Sequence, residues 1–563
     1  MLRRGSGRRK QRAVPVAPQN LSRVRALVGH FRLLLALAPV LACGGCLVGP
    51  DFSSPSAPVA DKWLESRDPS VKSVALISPA SREDWAWWTV FHDPVLDRLI
   101  RIAYEQNLSL VSAGTRVLQA RAELGVAIGE FFPQVQHATG SMLYDRPSHA
   151  DPTANPLTGF LPNFWRDSLG LTVNWELDFW GKFRRGIESA DAAYLASIAG
   201  YDEVLVTLLG DVATTYIGIR TLDTQIKIAE ENVVKQKKAV TIAWAKYRGG
   251  TATKLDVYQS ENVLGQTEAA IPQLTIQLKQ GMNALRVLLG MAPEPLGDLL
   301  GRSTRIPVPP RDVVVGIPAD LVRRRPDIRA AELAAASQSA QIGIAKADLY
   351  PAFSLFGTFG GVASNINGNK LSQAFQGKGI TFGFGPSFQW NILNYGQITN
   401  TVRVQDAKLQ RLLVDYQNTV LKAQKEVEDG LASFLQGREQ VEYLRRSAAA
   451  AEAALGLAIL QWNLGTRDFT TVLTAEQNLY TAQNNLAMAE GGVSVGLASV
   501  YRALGGGWQI RAENEFVPAA TAEEMRNRTN WGELLPPSGT PQPPAPGLPT
   551  PADVSPSPRL PQW

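Results

Sequence analysis

Trp175-Glu-Leu-Asp-Phe-Trp-Gly181-Lys182 and Trp390-Asn-Ile-Leu-Asn-Tyr-Gly396-Gln397 are two versions of one string, 215 residues apart. The same offset aligns Gly250-Thr251 with Gly465-Thr466, Val257 with Val472, Glu261 with Glu476, and Leu289-Gly290 with Leu504-Gly505. An ungapped register held over more than 110 residues marks a duplication. Upstream the offset becomes 218, pairing Gly125-Val-Ala with Gly343-Ile-Ala and Phe132-Pro133 with Tyr350-Pro351. The copies therefore differ by three residues between that proline and the tryptophan.

Each copy reads in the same order. A helical pattern covers about 95–130 and 326–348 and stops at the proline. The period then drops to two. Leu169, Leu171, Val173, Trp175 and Leu177 share one face of a predicted strand, and Phe382, Phe384, Pro386, Phe388, Trp390 and Ile392 share the equivalent face in the second copy. Segments 133–144 and 351–363 read as partner strands, and 145–164 and 364–379 as Asn/Gly/Pro/Ser-rich loops. The period next rises to about 3.5. Leu205, Leu209, Val212, Tyr216, Ile219, Leu222, Ile226, Ala229, Val233, Val240, Trp244 and Tyr247 follow it, as do Leu409, Leu413, Tyr416, Val420, Ala423, Val427, Leu431 and Phe434. A helix from Phe183 to Lys246 would be roughly 95 Å long at about 1.5 Å per residue. A glycine turn follows in each copy, at 248–251 and 464–467, and a return helix runs to Gly290 or Gly505. Pro272 is expected to kink the first return helix, whereas its counterpart Ala487 is not.

Four short amphipathic strands cannot close a barrel alone, because membrane barrels need about eight or more. An open sheet in lipid would leave its edges unpaired. The strands therefore form a soluble sheet, or several chains pool them: two chains would give about eight, three about twelve. Phe164, Trp165, Trp175, Trp390 and Tyr395 at the strand ends suit interfacial girdles. Periodicity leaves dimer against trimer open.

The chain has 563 residues, 45% of them hydrophobic, and a formal charge of +5. Nine basic residues and no acid lie within 1–45, so the remainder has 47 basic against 51 acidic groups. A nucleic-acid reading of the charge therefore fails. The basic stretch precedes a short apolar run, 33–42, and small residues, the pattern of an export signal. That run is shorter than the roughly 20 residues a membrane helix needs, and no later run is expected to reach it. Cys43 and Cys46 both follow small residues, so either suits lipoprotein-type processing with a diacylglyceryl, palmitate-type anchor. Four histidines (30, 92, 137, 150) lack metal spacing, Gly377-Lys378 lacks the P-loop's earlier glycine, and no G-x-S-x-G occurs. No enzyme and no cofactor is expected. Segment 323–325, three arginines before Pro326-Asp327, reads as a salt-bridging helix start before it reads as an anion site.

Cys46-Leu-Val-Gly-Pro-Asp-Phe52, Val315-Gly-Ile-Pro-Ala-Asp-Leu-Val-Arg-Arg-Arg-Pro-Asp-Ile-Arg-Ala-Ala-Glu332 and the duplicated turns resemble the TolC-like outer membrane factors, the NodT/OprM-type efflux lipoproteins above all. The likeness covers about residues 46–510. It implies an α+β fold: a transmembrane β-barrel of four strands per chain, twelve in a homotrimer, above a long coiled-coil-like periplasmic α-barrel. It also implies a lipid-anchored outer membrane location, a periplasmic adaptor, an inner-membrane pump of the RND type, and a passive exit duct for drugs or other small molecules. The domains expected are a signal peptide (1–45), a lipidated extended segment (46–94), repeat one (95–290), a linker (291–320), repeat two (321–505) and a C-terminal segment with a Pro-rich tail (506–563). Family members lipidate the cysteine directly before Gly-Pro-Asp-Tyr, which favours Cys46 over Cys43; here Phe52 replaces the tyrosine. The likeness places a periplasmic gate at Asp468, Phe469, Thr471 and Thr474, and adaptor docking at Arg248, Gly249, Gly250, Thr251, Gly465, Thr466 and Arg467. Where relatives carry Asp-Val-Leu-Asp-Ala, this chain has Thr471-Val-Leu-Thr474-Ala475, so its gate is expected to be less acidic. A type I protein secretion duct and a lipid-anchored coiled-coil scaffold without a pore are the rival readings.

Overall fold

The computed structural model describes residues 47–65, 76–77, 82–148, 162–301, 303–310, 313–314, 324–511 and 514–535. The segment expected to be an export signal, both cysteines, Arg323, most of the first strand loop and the Pro-rich tail lie outside them. The chain divides into two compact units, a sheet and a helical body.

The sheet unit contains Pro133–Lys182 and Ala347–Ile392. Its strands β1 (Val135–Asp145), β2 (Phe164–Leu177), β3 (Ala352–Ser364) and β4 (Ile380–Gln389) lie in chain order, every pair antiparallel. The pairing aligns the alternation across all four strands. Ala138, Leu171, Phe359 and Phe382 form one row, and Gly140, Leu169, Gly361 and Ile380 the next. The opposite face carries His137, Thr172, Thr358 and Gly383. One face is therefore mainly apolar, interrupted by Gln136 and Asp167, and the other mainly polar, interrupted by Phe356 and Val362. The apolar face is uncovered in the single chain, with Phe382 75% and Phe384 85% exposed. Along β1 and β4, the sheet's outer edges have no ladder partner among the described residues.

Two expectations about aromatics need correcting. Strand β4 stops at Gln389, so Trp390 and Ile392 lie beyond the ladder, and the Trp390 indole donates to the Leu349 carbonyl at 3.1 Å. Phe164 is only 5% exposed and lies beneath the Arg166 guanidinium, so it cannot contribute to an outer girdle.

The helical unit shows the duplication in its element bounds. Helices α1 (Pro94–Gln106) and α2 (Leu108–Gly129) are followed by α3 (Lys182–Arg248) and α4 (Lys254–Leu288). The second copy gives α5 (Pro326–Ala347), α6 (Gln397–Asn463) and α7 (Phe469–Ala503), and α8 (Ala519–Arg528) lies beyond it. Both long helices have 67 residues and both return helices 35, offset by 215 at each end. Helices α2 and α5 have 22 residues each, offset by 218. A 67-residue helix is about 100 Å long at 1.5 Å per residue. The stripe Tyr416, Val420, Ala423, Val427, Leu431 and Phe434 is buried throughout.

The pattern expected over 95–130 is two helices. Asn107 ends α1 and caps α2, accepting from the Leu110 amide at 2.9 Å, while its amide group donates to the Leu288 carbonyl at 2.9 Å. At the equivalent place in the second copy stands Arg325, which donates to the Ala503 carbonyl at 2.7 Å. Leu288 and Ala503 are themselves equivalent, so one end-of-helix carbonyl is satisfied by different chemistry in each copy. Arg325 also holds Asp327 through two bonds, at 3.0 and 2.8 Å, and Glu426 at 2.8 Å. For this residue the salt-bridging reading matches the geometry.

Helix α4 continues through Pro272 without a break. Against the expectation of no later apolar span, α3 contains a stretch apolar enough to cross a membrane by length and composition. Half of that stretch is buried inside the protein, so packing accounts for it.

Candidate functional site

Five-residue turns join α3 to α4 and α6 to α7, at 249–253 and 464–468. Gly250 and Gly465 take φ of +73° and +72°, the left-handed geometry that ends a helix. The Thr251 amide donates to the Lys246 carbonyl at 2.9 Å, and the Gly250 amide to Tyr247 at 3.0 Å. In the second turn Thr466 donates to Gln461 at 3.0 Å, and Gly465 to Trp462 at 3.0 Å. Both threonine hydroxyls reinforce the same carbonyls. The turns are thus the same closure built twice.

The next cap differs. Thr253 and Asp256 form a reciprocal capping box at the start of α4. Their counterparts are exchanged: Asp468 stands at the N-cap of α7 and Thr471 three residues on, and Asp468 makes no side-chain cap bond. The Asp256 carboxylate is engaged by its own turn, whereas that of Asp468 is exposed.

Behind the turns, the two hairpins share an apolar cluster. Ala239 and Ala243 come from α3, Val257 and Val263 from α4, Leu455 and Ala458 from α6, and Phe469, Val472, Leu473 and Leu479 from α7. The buried stripe of α3 has moved here from Val240 and Trp244 onto Ala239 and Ala243, since a 3.6-residue turn drifts against a 3.5 repeat. Lys246 places its ammonium 3.6 Å from the Trp462 ring centroid, and that ring lies 4.5 Å from Phe469. The end of α3 is thereby tied to the end of α6.

These contacts sort the candidate residues. Arg248, Gly249, Gly250, Thr251, Gly465, Thr466 and Arg467 are all exposed at the turns. Asp468, Thr471 and Thr474 are exposed along α7. Phe469 is a correction: at 3% exposure against Trp462, it fills the cluster and cannot line an opening. The cysteines considered for lipidation, Cys46 and Cys43, lie outside the described residues. Among the described residues no cluster of His, Cys, Asp and Glu is placed to hold a metal.

Sequence reasoning missed Lys246, Trp462 and the environment of Glu476. The one signal available was position: both ring and cation fall in the last turn before a glycine closure. Glu476 is 4% exposed, and burial pushes its carboxyl up to about 7.

Comparison with known proteins matches residues 99–291 and 317–506 to the family model described as "Outer membrane efflux protein". Nodulation protein T of Rhizobium leguminosarum bv. viciae is 30% identical over 460 residues, covering 82% of this chain and 90% of that protein. Toluene efflux pump outer membrane protein TtgI of Pseudomonas putida is 28% identical over 483 residues, covering 84% and 98%. The solved outer-membrane channel OprN superposes with a TM-score of 0.75 at 30% identity, covering 82% of this chain and all of that one. The open-state MtrE outer membrane channel of Neisseria gonorrhoeae gives 0.67 at 25% identity, covering 82% and 99%. By name, TtgI is an efflux pump outer membrane protein and OprN and MtrE are outer membrane channels; the family model and these relatives describe efflux channels, not enzymes.

Proposed function

This chain belongs to the outer membrane efflux protein family, and from that premise we propose that it is a passive exit duct assembled from three copies in the outer membrane. The observation that carries the reading is the four-stranded sheet, with one mainly apolar face uncovered and both outer edges unpaired among the described residues. Lipid can cover such a face, but it cannot satisfy the edges. Joining β4 of one chain to β1 of the next closes a ring head to tail. Two chains would make an eight-stranded barrel, whose interior side chains fill. Three make a barrel wide enough for a lumen, with the polar faces of all the sheets turned inward.

In this reading α3, α4, α6 and α7 form the wall of a periplasmic tunnel about 100 Å long. Asp468, Thr471 and Thr474 narrow its entrance, one exposed carboxylate per chain. The exposed turns around Gly250 and Gly465 dock a periplasmic adaptor, and through it an inner-membrane pump, RND in type, that supplies the energy. Cys46 carries the lipid anchor, with the remainder of the leader removed. Small apolar molecules are the first cargo to test, following the toluene efflux relative.

Edge cysteines test the assembly. With one cysteine placed within 138–140 of β1 and another within 382–384 of β4, oxidation in membranes should build a ladder that stops at three chains. A ladder stopping at two, or no edge cross-link at any register, contradicts the proposal.

A further inference from the structure

Glu476 is buried inside the apolar cluster behind the tip turns, and its Oε2 has no hydrogen-bond partner. It follows Val472 by four residues, follows Leu473 by three and precedes Leu479 by three, and all three belong to the cluster. The carboxyl therefore lies on the packed face of α7. Its counterpart in the first copy, Glu261, is exposed and accepts from the Trp244 indole at 3.0 Å. Position 459, equivalent to Trp244, is isoleucine, so the second copy lacks that donor. On α3, Gln236 is 2% exposed and both atoms of its amide lack partners. It stands three residues before Ala239 and seven before Ala243, on the face that meets the same cluster.

Among the described residues no cation compensates the carboxyl. On α3, Lys235 and Lys238 are exposed, Lys237 pairs with Glu268 of α4 at 2.9 Å, and Lys246 sits on Trp462. On α4, Asp256 is held in its capping box, and Glu261 is on the exposed side. Glu452 of α6 and Asp468 of α7 are exposed, and Tyr480 is half-buried beside the stripe. An ionised carboxylate in this position would be desolvated without a partner, which an apolar cluster does not tolerate.

We propose that Glu476 is a proton-dependent latch of the tip: protonated, it stays packed and holds the two hairpins together; ionised, it draws α7 out of the cluster towards water. The proposal rests on the conduit reading above, because α7 also carries Thr471 and Thr474. A packed carboxyl titrating near 7, against 4.5 when hydrated, binds its proton more tightly in the closed tip. Raising the pH from about 4.5 to 7 therefore shifts the population towards the loosened tip, and the shift levels off above 7. Acid closes the latch, and a rise to neutral pH releases it.

Two measurements on the full-length, membrane-extracted protein test this. In planar bilayers the open fraction of the wild type should rise about threefold or more between pH 5 and 7.5. Glu476→Gln, a neutral near-isostere, should hold the low value throughout. Amide hydrogen exchange over 455–479, corrected for its intrinsic pH dependence, should accelerate across the same interval in the wild type alone. A wild type flat in exchange, or a Gln variant that keeps the acceleration, overturns the latch. Exchange decides it even if no channel is seen, an outcome that would count against the conduit reading instead.

Discussion

Arg511→Ala is expected to destabilise the helical body by about 3–5 kcal/mol, the loss seen when one partner of a buried ion pair is removed. Asp202, on α3, is 0% exposed, and Arg511 is the only cation bonded to it among the described residues, at 2.6 Å to Oδ1 and 3.1 Å to Oδ2. The guanidinium also lies 5.1 Å from the Phe516 ring, whose edge meets Tyr201 at 5.3 Å. This cluster fastens the chain beyond the second repeat to the first third of the first long helix. Burial pushes the Asp202 carboxyl up further than the bonds from Arg511 pull it down, leaving it at about 6. Without Arg511 the folded state must hold a proton on Asp202 that the unfolded chain, near 3.8, releases. The variant should therefore regain stability as pH falls from 8 towards 5 and lose it as pH rises. Urea titration in detergent reads both effects. The pair Asp202→Asn with Arg511→Met should recover much of the loss, since neither charge is then stranded. A single variant within about 0.5 kcal/mol of wild type would show that the pair is solvated.

The second large effect concerns neighbouring residues on opposite faces of one strand. Leu171→Arg puts a guanidinium in the apolar row with Phe359 and Phe382, where a membrane barrel tolerates it at about 2–4 kcal/mol per chain. Thr172→Arg places the same charge one residue on, beside His137 and Thr358 on the polar face, and should cost at most about 1 kcal/mol. The measurement is the amount of folded, detergent-resistant protein recovered from outer membranes. Leu171→Arg should abolish most of it and Thr172→Arg should leave it. Equal losses, or the reverse order, would mean that the apolar face does not meet lipid.

Periodicity made much of this legible. The offsets of 215 and 218 recur in the helix bounds, and the alternating strands align row by row. Both results follow from local spacing, which a linear pattern carries. What was not legible depends on contacts between distant segments. Asn107 looks like an ordinary helical position until its amide is seen on the Leu288 carbonyl, 181 residues away. Phe469 follows an exposed turn, and only Trp462 and the cluster behind it explain why its ring faces inward. Glu476 pairs with Glu261 in sequence, yet the change of Trp244 to Ile459 gives the two carboxyls opposite environments. A duplication keeps the fold while its copies diverge at single partners, and a partner is a tertiary fact.

In the proposed duct, several copies of this sheet enclose a water-filled passage. Single-channel recording of the purified protein in planar bilayers tests it most directly. Discrete conductance steps that appear only with the three-chain species, and vanish when Leu171→Arg prevents its formation, are the predicted result. A three-chain species stably inserted in the bilayer that passes no current at any voltage or pH would contradict the account and leave a lipid-anchored scaffold in its place.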